Sequence, residues 1–480
     1  MNCDVIIIGA GLGGLTAGAK LAKEGNKVLV LEQHDRPGGC ATTFKRRDFT
    51  MEVGLHEMDG LHPRDIKTRI FRDLGISGRV EFLELPEFYR FFNGRVDIVI
   101  PHQAEKAMKV LKERFPAEGK GIDTYFDHVL NARRITGGQE TGKDRSVGEF
   151  LDGIISDEDL KLVLLGNLGY FHDDPYSLSL FYYLNAQGSY YAGRANFIRG
   201  GSRSLTEALA SIIEENQGAV HLNSMVTSID YDGKKPAGVT WERYRGKDRG
   251  VFSEKAPEII MNGAVPNLVE GLLSPEDGKA LSEKIGENRL GASLLTVYFG
   301  FNRPLKEIHN HYSTFVFDES VRRLADILPN NRGDFASRGF TLVDYSQVDS
   351  DLAPEGKSVG TACCIDYPSD WEGLDREEYD RLKSDVSDSI IERCEKFIPG
   401  FRDSLEYVEV GTSLTIRRFT LNPQGAVYGF AQNPGKPDSY LSALPENVHI
   451  ASAWGRFGGG FSGAIISGYM TALDLLRKKS

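Results

Sequence analysis

Residues 4–32 set out a strand, a glycine-rich turn, a helix and a second strand in the arrangement that cradles a dinucleotide. Asp4 to Ile8 reads as a short buried strand, and Leu15 to Glu24 as a helix whose small residues Ala17, Gly18 and Ala22 allow close packing on a sheet. Gly25-Asn26 ends that helix, Lys27 to Leu31 is the second strand, and Glu32 stands at its C-terminal end. Between strand and helix, Gly9, Gly11 and Gly14 occupy the three required positions of G-x-G-x-x-G. The first makes the tight turn, the second lets backbone approach a pyrophosphate, and the third lets helix and strand close together. The helix N-terminus then faces the anion. Glu32 is placed to accept hydrogen bonds from a ribose diol and would repel a 2′-phosphate.

An acid at this strand end suits FAD and NAD alike. Arg36-Pro37-Gly38-Gly39 favours FAD, because a second glycine pair offers another close backbone approach. The turn residues Leu12 and Gly13, Gln33 after the acid, and Ala41 and Thr42 beyond the glycine pair complete the N-terminal contact candidates.

The chain has 480 residues, enough for more than one domain, with 40% hydrophobic and 26% charged residues. Its net charge of −11 argues against nucleic acid. Phosphate backbones demand clustered basic surface, and only Arg243–Arg249 and Arg477–Lys479 approach that. Five cysteines, odd in number and unspaced for metal, suit a reducing compartment, and Cys363-Cys364 reads as strand packing. With no signal peptide and no apolar run of ~18 residues, the expectation is a cytoplasmic protein, with peripheral membrane contact left open. H-E-x-x-H, C-x-x-C, P-loop and G-x-S-x-G patterns are absent, and no metal site is expected.

Helical periodicity is visible in Ile66–Leu74, Ala104–Phe115, Leu205–Glu215 and Tyr379–Phe397, whereas Thr136–Arg145 reads as a polar loop. Leu294–Phe301 and Ser358–Ile365 read as strands of a second, largely antiparallel sheet. Glu258–Asn262 and Val448–Ala451 read as further parallel-type strands. Near the end, Trp454–Gly463 sets a glycine run before a helix, a turn whose free N–H groups suit an electron-rich ring edge.

The N-terminal stretch resembles that of the large FAD-dependent group containing amine oxidases and carotenoid desaturases. Four more stretches resemble the phytoene desaturase-type flavoproteins, which include carotenoid desaturases, carotenoid isomerases and retinol saturases. They are GGCATTF…FTMEVGLHEMDG, the aromatic FYYLNAQGSYYAGRANFIRGGSRSLTEAL, TSLTIRRFTLNPQGAVYG and ENVHIASAWGRFGGGFSGAIISGYM. The resemblance implies an α/β fold: a Rossmann-like FAD-binding domain from 1–60, 195–270 and 440–480, with an inserted α+β substrate domain from 61–194 and 271–439. It adds Val226, Ala264, Gly455, Gly459, Phe461 and Ser462 to the cofactor contacts, and His56, Tyr191 and Arg199 as catalytic candidates. His56 is either a group beside the flavin, as proton donor or gatekeeper, or a buried histidine satisfied by backbone. Arg199 could contact the cofactor or pair with a carboxylate. The aromatic run Tyr170–Phe197 could line a tunnel for an apolar substrate or be domain core. The implied activity is saturation, desaturation or redox-neutral isomerisation at C=C or C–C bonds of an isoprenoid or polyene, by hydride transfer through flavin N5. The electron partner is left open. A mean hydropathy of −0.31 weighs against a fully lipid-dissolved carotenoid and leaves room for a smaller or partly polar substrate. A flavin amine oxidase and a non-catalytic flavin-binding protein are the alternatives.

Overall fold

The computed structural model describes residues 3–132, 145–246, 248–286 and 288–479. Most of the expected polar loop, residues 136–144, lies outside them. The chain opens with β1 (Val5–Ile8), α1 (Leu12–Lys23) and β2 (Val28–Leu31). Much later it adds α2 (Leu180–Gly193), α3 (Ser202–Glu215), β3 (Ala219–His221), β4 (Glu258–Met261), β5 (Val448–Ile450) and α4 (Gly460–Lys479). The five strands form one sheet in the order β3-β2-β1-β4-β5, all parallel. Ile7 pairs with Val30 on one side and Ile260 on the other. Strands buried on both faces need continuous apolar runs, and VIII, VLVL and EIIM supply them. Helices α1, α3 and α4 cover one face, with α1 packed on both others.

A second sheet has seven strands, running from Leu405–Gly411 through Ser293–Phe301, Ser358–Asp366, Phe340–Asp344, Ser313–Val316 and Tyr89–Phe92 to Asp97–Ile100. Only the pairing of Ser313–Val316 with Tyr89–Phe92 is parallel. A three-stranded antiparallel meander over residues 224–255 lies beside the end of β2, where the backbone N–H of Ser224 donates to the Glu32 carbonyl at 2.8 Å. The fold is thus a parallel nucleotide-binding layer in separated segments plus a mostly antiparallel sheet, as the motifs imply. Among the described residues no helix is long and apolar enough to cross a membrane.

Candidate active site

The C-terminal ends of β1, β2 and β4 open into a continuous cavity of about 2200 Å³. A pocket for one drug-sized ligand is ~300–1,000 Å³, so this one has room for two molecules at once.

At the β1 end, Gly9 holds φ +97°, a conformation that side chains disfavour. Three glycines of the turn are also forced by packing. A Cβ on Gly13 would stand 1.7 Å from the Ala451 carbonyl oxygen, and one on Gly14 would stand 2.4 Å from that of Gly9. On Gly11 it would stand 2.7 Å from the Asn262 amide nitrogen. Asn262 was not singled out from sequence. Its Oδ1 accepts the Gly14 N–H at 2.7 Å and ties the end of β4 to the start of α1. The only signal was its place after EIIM. The N-cap Gly11 offers no side-chain cap and Asn262 takes only the Gly14 N–H, so the earlier N–H groups of the first turn remain available to an anion.

Glu32 is buried, accepting from the backbone N–H of Ala10 at 2.7 Å and of His34 at 2.8 Å. Burial pushes its carboxyl up, against the pull of those donors. Each oxygen keeps acceptor capacity toward the cavity it lines, as a ribose diol requires. Gly38 bridges to Gly11 and donates its N–H to the Ala10 carbonyl at 2.7 Å. The Thr42 hydroxyl is a buried donor on the cavity wall with no protein partner. An orphaned donor beside a glycine cradle fits a phosphate-bearing cofactor. On the opposite wall Gly459, Gly460, Phe461, Ser462 and Gly463 bring the N-terminus of α4 to the cavity. The Ser462 hydroxyl is taken up by Asp59, itself paired with the buried Lys67 at 3.2 Å.

Most cofactor candidates line this cavity: Gly9, Gly11, Leu12, Gly13, Glu32, Gln33, Gly38, Gly39, Ala41, Thr42, Val226, Gly459, Phe461 and Ser462. Gly14, Ala264 and Gly455 do not. Gly14 packs against the Gly9 carbonyl, Gly455 against the Ser467 hydroxyl and the Ser452 carbonyl, and Ala264 is in the core.

Two catalytic candidates lie off the wall. Arg199 is at the surface, in ion pairs with Glu81 at 2.7 Å and Asp349 at 2.6 Å. Of its two sequence-based readings, the carboxylate pair is the one that forms. Tyr191 packs edge-on against Phe88 and Phe126, because α2 turns it away from the face that carries Tyr182 and Tyr190. The aromatic run therefore divides. Tyr170, Phe171, Phe181, Tyr182 and Tyr190 line the cavity, whereas Tyr183 and Phe197 are wholly buried in the core. Strand alternation splits the cysteine pair likewise, with Cys363 on the wall and Cys364 in the core behind it.

His56 does reach the wall. Its Nδ1 lies 3.2 Å from the Tyr170 hydroxyl and its Nε2 3.5 Å from that of Thr361, while its carbonyl accepts from the Tyr312 hydroxyl at 2.7 Å. Burial pushes the imidazole down to about 4, so it is neutral at neutral pH. Next to it, Glu57 faces the same space, and burial pushes its carboxyl up to about 8. Sequence reading passed over Glu57 because an acid in a polar-looking turn carries no periodic or motif signal. Lys436 was missed for the same reason. Its Nζ is buried on the wall without a partner, and burial pushes it down to about 8. Among the described residues no cluster of three His, Cys, Asp or Glu could hold a metal.

A dinucleotide cradle joined to an aromatic compartment is the layout of an enzyme that works through a bound dinucleotide. The comparisons with known proteins agree. The pattern of the flavin containing amine oxidoreductase family matches residues 12–476, and the chain belongs to that family. Its cofactor is the flavin dinucleotide FAD. The chain is similar to all-trans-retinol 13,14-reductase of Danio rerio, 27% identical over 89% of this chain and 77% of that one. It is also similar to chloroplastic prolycopene isomerase of Daucus carota, 26% identical over 93% and 74%. A crystal structure of an oxidoreductase from Methanosarcina mazei shares the fold, with TM-score 0.69 and 17% identity over 98% of this chain and 99% of that one.

Proposed function

We propose that this FAD-dependent oxidoreductase reduces a conjugated C=C bond of an apolar polyene of the retinoid or carotenoid class. The observation that carries this is the continuity of one cavity from the Gly9–Gly14 turn to a compartment walled by Tyr170, Phe171, Tyr182, Tyr190, Tyr298 and Tyr428. The names of the retinol reductase and prolycopene isomerase relatives support a polyene. The cofactor, when bound and reduced, supplies a hydride through N5 of its flavin ring.

The chain's own residues do the rest. The α1 and α4 N-termini offer N–H groups to its anionic and electron-rich parts, and Glu32 offers acceptors to its ribose. The aromatic walls orient an elongated apolar substrate and exclude water. His56, held from both ring nitrogens, shapes the wall between these regions as a neutral group.

The test uses protein loaded with FAD and reduced anaerobically with dithionite, then mixed with all-trans-retinol or lycopene. Return of the oxidised flavin spectrum with loss of polyene absorbance is expected. The mass of the product separates reduction, a gain of one hydrogen pair with the flavin reoxidised, from isomerisation, no change in mass with the flavin still reduced; loss of a pair is sought with the oxidised protein, whose flavin would be bleached as it takes the hydride. Bleaching of the oxidised protein by amines, with indifference of the reduced protein to every polyene, would overturn the reading in favour of amine oxidation.

A further inference from the structure

Glu57 is nine-tenths buried on the cavity wall, and neither carboxyl oxygen has a hydrogen-bond partner in good geometry. Buried polar atoms nearly always have one. Glu52, five residues earlier, is the contrast. It is as deeply buried, but it accepts from the N–H and hydroxyl of Ser202 at 2.8 Å each, from Gly54 at 3.1 Å and from Leu55 at 2.9 Å. That carboxylate holds the start of α3 to the loop ahead of His56. Glu57 has only the Tyr190 hydroxyl near it, outside good hydrogen-bond geometry.

Its surroundings keep it neutral. Burial is the chief cause, Asp59 and Glu87 add like charge to a smaller degree, and Tyr89, Tyr170, Tyr190 and Tyr312 lie within its electrostatic reach. The charge of Asp59 is already matched by Lys67. The Tyr190 hydroxyl stands near enough to favour the anion, but this is smaller than the effect of burial. A carboxylic acid so placed keeps a proton that can be given to a molecule in the cavity. His56 beside it has none to spare.

The geometry points to Glu57 as the proton donor of the reduction, delivering its carboxyl proton to the olefinic carbon next to the one that takes the hydride. This rests on the reading that a polyene C=C is reduced here. In the step the π bond breaks and two C–H bonds form. The hydride brings both electrons, which come ultimately from a donor of the reduced nicotinamide or dithionite class. The Glu57 O–H bond breaks, its electron pair stays on the carboxylate, and solvent restores the proton before the next turnover.

The test compares FAD-loaded wild type with Glu57→Gln and Glu57→Asp. Glu57→Gln keeps the shape and should bind FAD and retinol as wild type does, but should reduce retinol more slowly by about a hundredfold or more. Glu57→Asp should recover part of that rate. The wild-type rate should fall as pH rises through about 8, and the slope should be missing from Glu57→Gln. Independently of substrate, infrared spectra of the resting protein at neutral pH should contain a protonated-carboxyl band that Glu57→Gln removes. Equal rates and equal pH profiles for wild type and Glu57→Gln would overturn the assignment, as would the absence of that band. A wild type that shows the band, holds FAD and reduces no polyene would overturn the functional reading instead.

Discussion

A buried acid and a buried imidazole stand side by side in this cavity, and burial acts on them in opposite senses. His56 loses its proton and Glu57 keeps its own. For Glu57 the folded value, about 8, lies above the ordinary 4.5, so the native state holds a proton that the unfolded chain has released. Its contribution to stability is complete below the unfolded value and is lost as pH rises through the folded one. A gap of this size corresponds to about 4–5 kcal/mol. Urea unfolding should therefore show wild type losing about that much relative to Glu57→Gln between about pH 5 and about pH 9. Parallel curves for the two proteins would mean that the carboxyl is not held neutral. Among single residues, the glycines of the turn and Glu32 were legible because a motif with fixed spacing carries them. Glu57, Asn262 and Lys436 were not, because what distinguishes them is a missing or distant partner, and that is a property of the folded chain.

Among the elements, α1 and α4 meet backbone to backbone where Gly13 faces Gly468. A Cβ on Gly468 would stand 2.0 Å from the Gly13 carbonyl oxygen, and Gly13 itself has no room beside Ala451. Residues more than 450 positions apart thus fix the depth at which two helix N-termini face one cavity. Gly468→Val should push α4 off α1, cost about 3 kcal/mol or more, and release FAD. Thermal unfolding and the visible spectrum of the purified variant measure both, and a yellow variant of wild-type stability would contradict this packing. Helices with strong periodicity were legible to within a few residues. Ile66–Leu74 stands as read, and the one read as Tyr379–Phe397 begins at Arg376, after its Asp375 cap and three residues ahead of its first apolar position. The faces of α2 were not legible. It is aromatic nearly all round, so sequence could not say that Tyr190 faces the cavity and Tyr191 the core. Sheet order also eluded sequence, since β3 and β5 are short and their partners lie far away in the chain.

For the whole molecule, the same cavity wall draws residues from the N-terminal unit, the meander, the antiparallel sheet and the last helix. A ligand that touches all of them binds the folded chain and not the unfolded one. Free FAD at about a thousand times its dissociation constant should add about 4 kcal/mol of stability. Scanning calorimetry of flavin-stripped protein with and without added FAD gives the number. An unchanged transition would mean that the cofactor does not knit these parts together. The N-terminal and C-terminal motifs made the two-layer plan legible in outline. The inward turn of particular aromatics and the surface position of Arg199 come from how the layers close on each other, which no local pattern records.

Gly13 rests on Ala451 and on Gly468, so the cradle built by the first thirty residues is unfinished until the segment from Ala451 to Gly468 has emerged and docked. Pigment uptake therefore waits until residues beyond 450 have folded against the first thirty. A message cut short before residue 460 would yield a colourless product, however well its opening strands had folded.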